Sequence, residues 1–106
     1  MAHYLVTSKL RKKSFEKLKK ELKEKAFLPL NPFGRSLTYS LENARKRKDG
    51  YIIWEEEDYC TPPLKEERAV VLDDYFEDIR VEKVTPGEGW AQISDLPKLF
   101  PEFESD

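Results

Sequence analysis

Apolar and polar residues alternate from His3 to Leu10. Tyr4, Val6, Ser8 and Leu10 fall on one side, and His3, Leu5, Thr7 and Lys9 on the other. A period of two in a stretch rich in β-formers predicts a strand. Over 14–26 the period changes. Phe15, Leu18, Leu22 and Ala26 recur at helical spacing behind Ser14, a good N-cap residue, with Lys and Glu on the outer face. FLPLNPFGR (27–35) carries two prolines and a glycine and reads as a connecting loop whose Phe27, Leu28, Leu30 and Phe33 cap one end of the core.

The next segment supports two periods. Leu37, Leu41 and Ala44 suit a helix over 36–46, while Leu37, Tyr39 and Leu41 suit a strand. Asp49-Gly50 ahead of the apolar run Tyr51–Trp54 is a hairpin signal. It favours pairing 37–48 with 51–59, so that Lys48 faces Tyr51 and Arg45 faces Trp54. The helix over 36–46 stays as the alternative. Beyond Thr61, Leu64, Val71, Leu72, Tyr75 and Phe76 give the buried side of a second helix over 62–76. DIRVEKV (78–84) then reads as a strand with Ile79 and Val81 inward. Pro86-Gly87-Glu88-Gly89 is a turn, and Trp90, Leu96, Leu99, Phe100 and Phe103 make the tail too apolar to stay undocked.

The order is β-α-β-β-α-β plus a tail, the ferredoxin-like α+β plan: a four-stranded antiparallel sheet with two helices on one face. The expected division is a core over 3–85 and a docking tail over 86–106, in a single domain. Ile52 and Trp54 are expected on the open face of the sheet, where a second copy would cover them, so a homodimer is expected.

Composition narrows the classes. Charged residues make up 38% of the 106 residues, well above the usual quarter. Lys and Glu dominate, a bias of proteins that work hot, so a thermophilic source is expected. The first 50 residues hold 14 basic and 5 acidic side chains, and the remainder hold 5 and 16. Within one domain these halves face each other. No apolar run approaches the ~20 residues that span a bilayer, and the start of the chain has no signal-peptide pattern. A cytoplasmic protein without a membrane role is expected.

The layout resembles the dimeric α/β-barrel group, which includes YCII-related and antibiotic-monooxygenase-like proteins. The resemblance covers about residues 3–85 and is one of layout. It implies two sheets packed face to face in a homodimer. YCII-related proteins share a His–Asp pair, and this chain has one histidine, His3.

Candidate chemistry centres on WEEEDYCTPP (54–63), where four acids stand in a row. Along a strand Glu55 and Glu57 share one face, and Trp54, Glu56 and Asp58 the other. An acid/base site would use Glu57 or Asp58, with Arg68 as partner charge; Arg68 tying down either acid as a structural ion pair is the competing expectation. A ligand cleft would be lined by Tyr39, Trp54, Glu56, Asp58 and Tyr59, with Arg35 at its mouth. Carboxylates two apart can hold a hard cation, but no motif supplies further ligands, so neither metal nor cofactor is expected. Cys60 lacks a placed base and reads as an inert thiol. RNA binding is disfavoured by the acidic run and by an isoelectric point near 5.6. A small-ligand-binding or protein-interaction module is the leading expectation, and a small enzyme using Glu57 or Asp58 as general base is the alternative.

Overall fold

The computed structural model describes residues 2–58 and 61–103. Its sheet is built from β1 (Ala2–Leu10), β2 (Arg45–Lys46), β3 (Ile52–Asp58) and β4 (Phe76–Val84). The order across the sheet is β2-β3-β1-β4, and every pairing is antiparallel. This is the ferredoxin-like arrangement expected from the element order. β1 is central, set against β3 by Leu5↔Glu55 and against β4 by Leu5↔Glu82.

Among the described residues, three helical stretches lie before β4. These are α1 (Phe15–Lys23), α2 (Gly34–Glu42), and the run of α3 (Lys65–Glu67), a π-helical turn (Arg68–Leu72) and α4 (Asp73–Tyr75). A further short helix, α5 (Glu88–Gln92), follows β4. The stripe of α1 buries Leu18 and Leu22 as its spacing dictates, although Ser14 makes no side-chain cap bond. Among the described residues no helix is long and apolar enough to cross a membrane.

The hairpin differs from expectation. Residues 34–42 are helical, and the strand before the turn has two residues. The helical period wins because it alone buries Leu37, Leu41 and Ala44 together, each at 1% exposure or less. The Asp49-Gly50 turn does form. The Gly50 N–H donates to the Arg47 carbonyl, the Arg47 N–H to the Tyr51 carbonyl, and Asp49 Oδ1 accepts the Tyr51 N–H. Gly50 adopts φ +89°, a left-handed conformation open to glycine. The register is one residue away from that expected: Arg45 faces Ile53 and Lys46 faces Ile52. A slip of one moves every side chain to the other face. Arg45 therefore does not face Trp54. It stands on the open face and donates to the Ser94 and Leu96 carbonyls. Past the end of β2, α2 runs along β3, where the Ser40 hydroxyl donates to the Glu55 carbonyl at 2.8 Å.

The two faces of the sheet carry separate cores. On the helix face Val6, Ile52 and Trp54 pack with Leu18, Leu22, Leu37, Leu41, Leu64, Leu72 and Phe76. Trp54 and Ile52 thus point toward the helices, not onto the open face. Trp54 is fully buried, its ring 5.1 Å from that of Phe76. On the open face Leu5, Ile53 and Val84 pack under Ile93, with Trp90 and Leu96 against them. The tail docks on its own chain: Ile93 covers the open face, while Leu99 and Phe100 enter the helix-side core. An isolated bridge of Lys98 to Arg45 pins it.

Candidate functional site

Strand alternation divides the acidic run, and each acid meets different partners. Glu55 points to the open face. Its Oε2 accepts from His3 Nδ1 and the Gly87 N–H, both at 2.9 Å, and its Oε1 from the Trp90 N–H at 3.1 Å. Burial pushes its carboxyl up. The N–H groups of Gly87, Trp90 and Gly89 and the His3 ring outweigh that and hold it below the usual carboxylate value. Gly89 permits this approach, because a Cβ there would stand 2.9 Å from Glu55 Oε1 and 3.2 Å from Leu5 Cδ1. Glu55 is thus the clamp that fastens the 87–90 turn to the sheet.

Glu56 points the other way, into the helix-side core, at 1% exposure. Its Oε1 accepts from the Trp54 indole N–H at 2.9 Å. Burial pushes its carboxyl up to about 8. The indole bond opposes the shift, while the nearby Glu67 and Asp58 add to it. Near neutral pH this carboxyl is held protonated. Asp58, also buried, accepts the Leu64 N–H through Oδ2 at 2.6 Å. This bond holds the start of the second helical run, where Leu64 takes φ +63°.

Glu57 is the half-exposed member of the run. Its Oε2 stands 3.6 Å from His3 Nε2. It also lines a cleft of about 350 Å³ between the start of α2 and the end of β3, with Pro32, Phe33, Arg35, Ser36, Asp58, Glu66 and Glu67. The expected site residues Arg35, Glu57 and Asp58 are brought together there. Others are not. Trp54 and Glu56 are sealed in the core. Tyr39 is exposed and meets the Trp90 ring edge-on at 6.1 Å. Arg68 lies at the surface with its Nε 3.4 Å from Asp73 Oδ1, so it ties down neither Glu57 nor Asp58. Tyr59 and Cys60 lie outside the described residues.

Sequence reasoning missed the part played by His3 and the place of Ser36 and Glu66 in the cleft. A signal for His3 existed: in the antiparallel pairing of β1 with β3, His3 and Glu57 are direct partners on the face that Glu55 shares. Among the described residues no group of three or more His, Cys, Asp or Glu side chains converges as a metal ion requires. Comparison with known proteins finds no family model, no curated protein and no solved structure that matches this chain.

Proposed function

We propose that the protein is a small-ligand-binding module whose ligand occupies the cleft between α2 and the end of β3. One observation carries this reading. Of the four consecutive acids, Glu55, Glu56 and Asp58 are engaged by backbone or indole donors of the fold, while Glu57 stands half-exposed in a cavity it shares with Arg35. A cleft of about 350 Å³ is within the size range of small-molecule sites. Phe33 and Pro32 supply apolar lining, Glu57 and Glu66 supply the solvent-reached carboxyl groups, and Arg35 supplies one guanidinium. That lining suits a small zwitterion, its ammonium toward Glu57 and its carboxylate toward Arg35. The test is calorimetric titration with free amino acids, against their amides and their N-acetyl forms. Binding of a free amino acid that falls at least tenfold in both Glu57→Gln and Arg35→Ala is expected; equal binding of all three forms, or none, overturns the reading.

A second reading is favoured by His3. It links two carboxylates, with Nδ1 on Glu55 and Nε2 toward Glu57. An enzyme on the same cleft would use Glu57 as general base, oriented through His3, with Arg35 holding an anion. Turnover separates the readings. An enzyme loses turnover in Glu57→Gln while Arg35 still holds its anion, and a binding module has no turnover to lose and changes only in affinity.

Membership of the dimeric α/β-barrel group belongs to this proposal and is supported by the layout of the elements alone, since the tail residues Ile93, Trp90 and Leu96 lie on the face that such a dimer would join. So does a homodimer, although Ile52 and Trp54 are buried on the helix face and do not provide its surface. A cytoplasmic location fits a chain with one cysteine, which no internal disulfide can use.

A further inference from the structure

Among the described residues, no strand pairs with the outer side of β4. β4 forms one edge of the sheet and is nine residues long, above the usual strand length. Its inner side pairs with β1 from His3↔Val84 to Leu10↔Phe76. Among the described residues no backbone hydrogen bond joins residues 77–83 to any element other than β1. Arg80, Val81, Glu82 and Lys83 are exposed, Val81 at 40%. The opposite edge is different, because α2 runs along β3 and Ser40 takes the Glu55 carbonyl.

Charged side chains on an edge strand ordinarily discourage pairing. Here their signs decide which pairing they discourage. A two-fold axis perpendicular to the sheet pairs a strand with its own copy antiparallel and keeps each face with itself, so the register is named by the residue on the axis. Centred on Arg80, Glu82 or Lys83, it sets that charge against itself. Centred on Ile79, it runs into the irregularity at Asp78, where φ is +53° and the β1 register shifts between Thr7 and Lys9. Centred on Val81, it sets the exposed apolar residue against itself and each Arg80 directly opposite a Glu82. Directly opposed unlike charges on one face favour a strand pair.

We propose that β4 is a dimerisation edge. Two copies join antiparallel about a two-fold axis at Val81, with Arg80 of one protomer opposite Glu82 of the partner subunit, giving a continuous eight-stranded sheet. The interface is isologous and closed, since the short β2 at the other edge is covered by the tail, the Lys46 N–H donating to the Pro97 carbonyl and the Leu99 N–H to the Ala44 carbonyl. This does not depend on what the cleft binds.

The experiment is sedimentation equilibrium from about 1 to about 500 micromolar protein, the range in which weak to moderate self-association registers. The full chain is expected to dimerise. Arg80→Glu and Glu82→Arg should each weaken the dimer at least tenfold, since each sets like charges opposite one another twice. An equimolar mixture of the two single variants should form a heterodimer, in which both contacts join unlike charges again. The double variant Arg80→Glu/Glu82→Arg should regain the homodimer. Circular dichroism confirms that each variant is folded, and if one single variant fails to fold, the double variant still decides. A monomer over the whole range overturns the proposal. So does a dimer that neither single variant weakens, which would place the contact on the sheet face instead. A mixture that stays monomeric also overturns it.

Discussion

The two faces of β3 receive the same side chain differently. On the open face Glu55 meets three kinds of donor: a histidine ring, the N–H groups of a turn, and those at the start of α5. It is held charged and ties the tail to the sheet. One residue later, on the helix face, Glu56 meets an indole N–H and two further acids, Glu67 and Asp58. It is held neutral. Both expose little surface, but Glu56 lies much deeper in the protein and has fewer donors. Both differences count, because a carboxylate out of water keeps its charge only where donors replace the solvent.

The contrast sets opposite pH dependences. Glu56 in the folded chain keeps a proton that the unfolded chain releases, so its contribution to stability falls as pH rises from the ordinary glutamate value to about 8 and levels off above that. A shift of this size corresponds to about 5 kcal/mol. This is the largest expected effect. Urea unfolding at a series of pH values should show the loss in the parent chain, and Glu56→Gln, which cannot ionise, should remove most of it. Equal slopes in the two proteins would mean that Glu56 is ionised in the fold.

Glu55 has the opposite sign. Its folded value is lowered, so its contribution is present above the ordinary carboxyl range and lost as pH falls through the folded value. Glu55→Ala should cost about 2–3 kcal/mol, the range for charged hydrogen bonds whose partners are left buried. Amide exchange should quicken at Gly87 and Trp90 ahead of the β1 ladder. Uniform quickening across the sheet would show that Glu55 supports the whole fold and not the tail alone.

Smaller effects test the edges of the comparison. Arg45→Ala removes the donor to the Ser94 and Leu96 carbonyls and should cost about 1 kcal/mol, with faster exchange near Leu96. Glu57→Gln should change stability by less than about 0.5 kcal/mol, as for an exposed pair. A larger loss would place Glu57 among the structural acids and remove the observation on which the ligand reading stands.

Much of the fold was legible because period and order carry it. The alternation from Tyr4 to Leu10, the stripe of Phe15, Leu18 and Leu22, and the run Ile52–Asp58 each support one element. Their order then fixes the sheet. Residues 34–46 were not legible in this way, since Leu37 and Leu41 satisfy both periods and the burial of Ala44 decides between them. Alternation also shows that Ile52, Trp54 and Glu56 share a face, but not which face meets the helices. That depends on Leu18, Leu41 and Leu72 arriving from distant parts of the chain. In the candidate site, Arg35, Glu57 and Asp58 were foreseen as neighbours. The clamp was not, because Glu55 finds Gly87 and Trp90 more than thirty positions along the chain, where no local pattern marks a partner.

The central place of β1 has a consequence for how the molecule is made. β1 precedes both of its partners in the chain, residues 52–58 and 76–84. Val6 and Leu5, one facing each core, must wait for more than half the chain before either side of their strand is paired. Pairings so distant in sequence close slowly, and unpaired apolar strands are where growing chains associate wrongly. RKK (11–13) follows β1 directly, and the Lys-rich face of α1 comes after it. Positive charge next to an unpaired apolar strand is of the kind that discourages wrong association.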